Sequence, residues 1–241
     1  MDGVLTVTNS TDKSMDVSLS AEEFSVINRQ YDYAFTQNSD IAKWVKFAPS
    51  AVSLAVGESK QVTYSVGAPL SAEPGGIYIS LFASTSANTA DSSIASQQRV
   101  ASLLYITVLG DVTRSGHLVS LSFPWIISDK ATWSADLQNT GTAHYRSDYN
   151  VSVSNLFGGN VGSSQGSALI LPGTVRAVSD NLPLPKWPGI YKVSYSISLG
   201  DTPTVTRTRY MLYAPALAIF VFLIVINIIV MLLLRLRKRK A

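Results

Sequence analysis

Residues 214–234 constrain this chain more than any other stretch. They read APALAIFVFLIVINIIVMLLL, 21 residues without a charge and with one strongly polar side chain, Asn227. At a rise of ~1.5 Å per residue the run spans ~31 Å as a helix, the hydrocarbon thickness of a bilayer. Arg235, Arg237, Lys238, Arg239 and Lys240 follow at once. Basic residues beside a membrane span stay on the cytoplasmic side. The expectation is one C-terminal transmembrane α-helix, opening at Ala214 and Pro215, carrying Phe220 and Asn227, and closing at Leu234. A basic tail, 235–241, would then lie in the cytoplasm. This makes a single-pass protein of the cell membrane, with lipid as a partner and residues 1–213 outside the cell. The competing reading is a buried core helix, which the length and the sharp basic flank disfavour.

Charge is divided unevenly along the chain. The tail holds five of the 19 Lys and Arg residues and none of the 16 Asp and Glu. The remainder has 14 basic against 16 acidic residues, a net of −2. That balance gives no electrostatic reason to expect nucleic acid as a partner. There is no cysteine, which excludes disulfides, thiolate metal sites and Cys nucleophiles. An export signal is expected ahead of so large an external part. Met1-Asp2-Gly3 instead opens straight into a strand-like run, so a start later than the true one is expected.

Before residue 214 the chain reads as strands. Short runs rich in Val, Ile, Thr, Tyr and Ser cover 4–8, 15–20, 52–56, 61–66, 77–84 and 100–109. A second series covers 118–123, 132–139, 149–154, 166–171, 175–180, 190–199 and 207–213. Most alternate apolar with polar residues, as a strand does when one face is buried. Turn chemistry separates them: Asn-Ser-Thr-Asp, Gly-Glu-Ser and Pro-Gly-Gly. Residues 86–98 are rich in Ser, Ala and Asn and read as a long hairpin loop.

The two series echo each other. Leu5-Thr6-Val7-Thr8-Asn9-Ser10 is answered by Ala135-Asp136-Leu137-Gln138-Asn139-Thr140. Gly57, a strand, then Pro74-Gly75-Gly76-Ile77-Tyr78 is answered by Pro172-Gly173, a strand, then Pro188-Gly189-Ile190-Tyr191. Pro fixes φ and Gly permits positive φ, so Pro-Gly marks a corner into a new strand. The fold expected is all-β: two tandem immunoglobulin-like β-sandwich domains, 1–110 and 111–213, followed by the transmembrane helix. Core candidates are Phe47, Tyr64, Tyr78, Phe82 and Tyr105 in the first. In the second they are Trp133, Leu137, Val151, Val153, Tyr191, Tyr195 and Ile197.

Residues that carry chemistry are sparse. His117 and His144 have no local partner at metal-ligand spacing. No Gly-x-Ser-x-Gly elbow occurs. Glu22-Glu23, Asp129 and Asp136 read as solvated surface acids. No catalytic, cofactor or metal residue is therefore expected. Tyr31, Tyr33 and Phe35 form an aromatic-polar stripe that either faces the core of a strand or offers a contact surface. With loop 86–98 they are the candidate contact surface. Trp125 and Trp187, in Pro-rich corners, are expected to pack under turns.

The turn-rich motifs resemble a known family. Leu5–Ser10 as quoted above, then Pro49 with Val52, Leu54 and Gly57-Glu58-Ser59, then Pro74-Gly75-Gly76-Ile77-Tyr78, resemble the peptidoglycan-binding-type domain of bacterial WxL-interacting surface proteins. The second series, with Gln138-Asn139-Thr140-Gly141, His144, Asn155-Leu156-Phe157-Gly158 and Arg176, is similar to a membrane-proximal immunoglobulin-like domain of related anchored proteins. The resemblance implies non-catalytic binding or scaffolding at the bacterial cell surface, with peptidoglycan or another surface protein as partner. Two readings stand beside it: a strand-donating, chaperone-like assembly subunit, and a wall-glycan hydrolase.

Overall fold

Alternating apolar residues bury one face of a strand only if a second sheet covers it, and the chain meets that demand twice. The structure, a computed structural model, describes residues 1–85 and 98–240. For 217, 219, 233, 234 and 236–240 it describes the backbone alone. Two compact units result, Met1–Thr113 with Gly141–Ala143, and Arg114–Thr140 with His144–Ala241. Each is an immunoglobulin-like β-sandwich.

In the first unit, β1 (Asp2–Thr8), β6 (Ser59–Val66) and β4 (Val45–Ala48) form one sheet in the order β1-β6-β4. The other sheet follows β3-β2-β7-β8, from β3 (Tyr33–Thr36), β2 (Met15–Val26), β7 (Gly75–Thr85) and β8 (Arg99–Val108). The short β5 (Ala51–Leu54) pairs with the start of β2. Between the sheets lie Val45, Val66, Ile79 and Leu81, with Phe47, Tyr64, Leu104 and Ile106 packed against them. Tyr64 lies over Gly3, where a Cβ would collide with its ring.

Parity sends the other aromatics the opposite way. Ile77, Ile79 and Leu81 face inward, so Tyr78 and Phe82 face outward. Tyr105, directly opposite Tyr78, follows it. Phe24 and Phe35, paired across β2 and β3, share that outer face. Of the predicted core aromatics, Phe47 and Tyr64 do pack against the core. Tyr78, Phe82 and Tyr105 instead build a second apolar layer on the back of the sheet.

The second unit has a three-stranded sheet, β14 (Val175–Leu182), β11 (Ala131–Asn139) and β9 (Gly116–Ser122), in the order β14-β11-β9. Facing it is β10-β16-β15-β12-β13: β10 (Ile126–Ile127), β16 (Thr202–Tyr213), β15 (Gly189–Leu199), β12 (Tyr145–Asn155) and β13 (Asn160–Ile170). Trp133, Leu137, Val151, Val153, Tyr191, Tyr195 and Ile197 are all buried in one cluster. The Ser164 hydroxyl donates to Asp180 at 2.5 Å and ties β13 to β14. That bond and the Asn181 N–H hold the Asp180 carboxyl below its usual range.

The repeat seen in the sequence is a repeat of hydrogen bonds. Asn9 follows β1 fully buried, and its carbonyl accepts from Gly57 N–H at 3.0 Å while its own N–H donates to Glu58 O at 2.9 Å. Asn139 ends β11 fully buried, accepts from Gly173 N–H at 3.0 Å and donates to Thr174 O at 3.1 Å. Gly57 and Gly173 sit at φ +74° and +70°, a conformation that disfavours other residues. Thus β1 corresponds to β11, β6 to β14 and β7 to β15.

Pro215 cannot extend β16 by hydrogen bonding and opens α1 (Ala216–Lys240), its carbonyl accepting from Ala218 N–H at 2.9 Å. The predicted transmembrane span is corrected: among the described residues, no helix is long and apolar enough to cross a membrane. The expected membrane-lipid partner, single-pass topology and extracellular placement of 1–213 are withdrawn with the span. Ala214 belongs to the end of the sandwich, donating its N–H to Ile127 O at 2.8 Å. Asn227 donates to Leu223 O at 2.8 Å, within its own helix. Phe220 and Arg235 are exposed. The side chains of Leu234, Arg237, Lys238, Arg239 and Lys240 lie outside the described residues.

Candidate functional site

An unpaired strand edge presents a row of N–H and C=O groups that water or another strand must satisfy. Among the described residues, β1 pairs only with β6, and β8 only with β7. These two edges, one from each sheet, border the same side of the first sandwich. Between them runs a groove of about 160 Å³, lined by Leu5 and Val7 of β1, Leu81 and Ala83 of β7, and Val100 and Ser102 of β8. Leu5 and Val7 are half-buried, and Val100, at 71% exposure, stands at the lip.

The back of the β8 sheet is set by a buried ion pair. Glu22 faces outward from β2, yet it is almost fully buried and bonded to Arg99 at the start of β8. The Arg99 guanidinium also lies 3.3 Å over the Phe82 ring. Phe24 holds the layer together, with Tyr33, Tyr78 and Tyr105 rings at 5.3, 5.7 and 5.5 Å. This packing backs β8, whose outer edge is unpaired among the described residues.

The predicted contact residues divide. Tyr31 precedes β3, buried, in a turn at φ +69°. Tyr33 and Phe35 lie on the outer aromatic face at 37% and 39% exposure. Tyr33 and Phe35 therefore sit behind β3 and β2, and none of the three lines the groove. Residues 86–97 of the predicted loop lie outside the described residues. Glu22, read as a surface acid, is the buried partner of Arg99; its place one turn of the pleat from Phe24, on the same face, was the signal. Trp125 and Trp187 are exposed rather than packed under turns. Among the described residues no three His, Asp or Glu side chains gather as metal ligands. His144 is half-buried, and that burial, with Arg114 nearby, lowers its pKa from the usual value. The sequence reading missed the groove, because it depends on which edges stay unpaired.

No family model and no curated protein matches the chain. Solved structures similar to it include a class 5 fimbriae chaperone, CfaA, at 10% identity and TM-score 0.45, covering 89% of this chain and 93% of that one. A chaperone–tip adhesin complex of CFA/I fimbriae gives 10%, 0.42, 90% and 93% in the same order. The CupB2 chaperone of Pseudomonas aeruginosa gives 11%, 0.39, 87% and 92%. The resemblance to WxL-interacting surface proteins is corrected accordingly. In the structure its short motifs lie at corners of the sandwich: Asn9 accepts from Gly57 N–H, and Pro74 precedes Gly75 where β7 begins. The cell-wall scaffold reading, with peptidoglycan as partner, falls with it.

Proposed function

We propose that the chain is a non-catalytic, chaperone-like assembly protein that holds an extended segment of a partner polypeptide as an added strand. One observation carries this reading: β8 is a ten-residue strand, packed from behind by the aromatic layer, whose outer edge is unpaired among the described residues. Strand addition takes its affinity from main-chain hydrogen bonds, which any extended segment offers, and its selectivity from side chains that alternate across the edge. Such recognition suits a protein that handles partners before they fold.

Amide hydrogen exchange tests it. Extended peptides with alternating apolar residues are added to the chain, and exchange is followed along β8. Slowed exchange in β8, absent with peptides carrying proline at every second position, is the expected result. Unchanged β8 exchange with every alternating peptide would refute the reading.

A further inference from the structure

The second unit shows what fills the position that the first leaves open. There β9 runs antiparallel along the outer edge of β11, with Leu121 opposite Ala135 and Leu118 opposite Leu137. The chain then kinks at Pro124 and continues as β10, parallel to β16, with Leu212 N–H bonded to Trp125 O at 2.7 Å. One segment thus closes both edges of the sandwich. Its Leu118, Leu121 and Phe123 pack on the core, and Ile127 is buried in it.

The buried asparagines fix the correspondence. Asn9 matches Asn139, so Val7 matches Leu137 and Leu5 matches Ala135. Those are the β11 residues that face Leu118 and Leu121. Gly75 opens β7 opposite Val108, as Gly189 opens β15 opposite Tyr213, so β8 matches β16. In the first unit both matching edges are unpaired among the described residues, and the groove lies where the apolar side chains of a β9-like segment would go. Its volume is roughly ten times what one ordered water needs.

We infer that the groove between β1 and β8 takes an extended segment of a partner polypeptide that runs antiparallel to β1 and turns aliphatic side chains onto Leu5, Val7 and Ala83. This rests on the strand-addition reading and deepens it: the partner segment bridges two sheets, and its inward side chains resemble those of β9. Backbone pairing holds it along both edges, and the aliphatic residues set the register.

The probe is a synthetic peptide copying residues 116–128 (GHLVSLSFPWIIS), carrying a lysine tag for solubility. It is added to the intact chain, and exchange is read at β1, β8 and β11. The expected result is slowed exchange in both β1 and β8. Binding should weaken about tenfold or more when aspartate replaces the two inward leucines of the peptide, and likewise in Val100→Asp of the protein, whose exposed site leaves folding intact. Protection of β8 without β1 overturns the bridging segment while strand addition stands. Protection of neither overturns the bridging segment; strand addition falls as well only if β8 exchange is unchanged with every alternating peptide. Protection confined to β11 means the peptide has exchanged with β9 of the second unit, and overturns the inference as well.

Discussion

Two asparagines do the same work 130 positions apart, and neither owes its place to a ligand. Asn139 Nδ2 donates to Ile170 O at 2.8 Å, and Asn9 Nδ2 donates to Lys13 O at 2.8 Å and Ala55 O at 3.0 Å. A buried carbonyl stripped of its donor costs about 1–3 kcal/mol. Asn139→Ala should destabilise the second unit by about that amount, measured by urea denaturation of the variant against the parent. Arg99 makes a sharper case. With it gone, the Glu22 carboxylate would lie buried without its ion-pair partner. A fully buried pair broken this way costs about 3–5 kcal/mol; a third of the Arg99 side chain meets water, so about 2 kcal/mol is expected for Arg99→Met. Adding Glu22→Gln should return most of it. If the double variant is no more stable than the single one, the pair is not what holds the aromatic layer.

At the scale of elements, one inserted glycine moves a tyrosine to the other face of its strand. Pro188-Gly189-Ile190-Tyr191 places Tyr191 between the sheets, its hydroxyl bonded to Trp187 O at 2.8 Å. Pro74-Gly75-Gly76-Ile77-Tyr78 has one residue more, and with a side-chain period of two the tyrosine turns to the outer face. That is why the matched Pro-Gly-x-Tyr corners misled the core assignment, although they located β7 and β15 correctly. Alternation made most strands legible. It failed for β4 and β10, four and two residues long, too short to show a period. The groove was illegible for a different reason: pairing is set by distant residues, and periodicity reports only which face is buried. The terminal apolar run was legible as a helix. The inference from its length to a membrane span is the step that did not hold. An open edge also pairs with its own kind. The chain should self-associate weakly as concentration rises, and Val100→Lys, which sets a charge on the β8 lip, should reduce it. Sedimentation velocity across a concentration series would show this; identical curves for parent and variant would remove β8 as the route.

For the molecule as a whole, both histidines fall in the second unit, so mild acid acts unevenly. Burial lowers the His144 pKa below its usual 6.5. The folded state therefore favours the neutral imidazole, and its stability is complete above that value. It falls as pH drops below about 6.5 and the unfolded chain takes up the proton first. Between pH 7.5 and 5.5, exchange from the core amides of β11 and β15 should quicken while those of β2 and β7 hold steady. His144→Gln should flatten the change; an unaltered pH response in that variant would place its origin elsewhere.

The parallel β10–β16 pair carries a mechanical corollary. Tension along a chain loads such a pair in shear, where several bonds must rupture together. The first unit has no such patch among its described residues, and β1 is fastened along one side alone. Stretched in a single-molecule experiment, that end should yield at the lower force, and a captured segment bridging its two edges would act as the missing rivet.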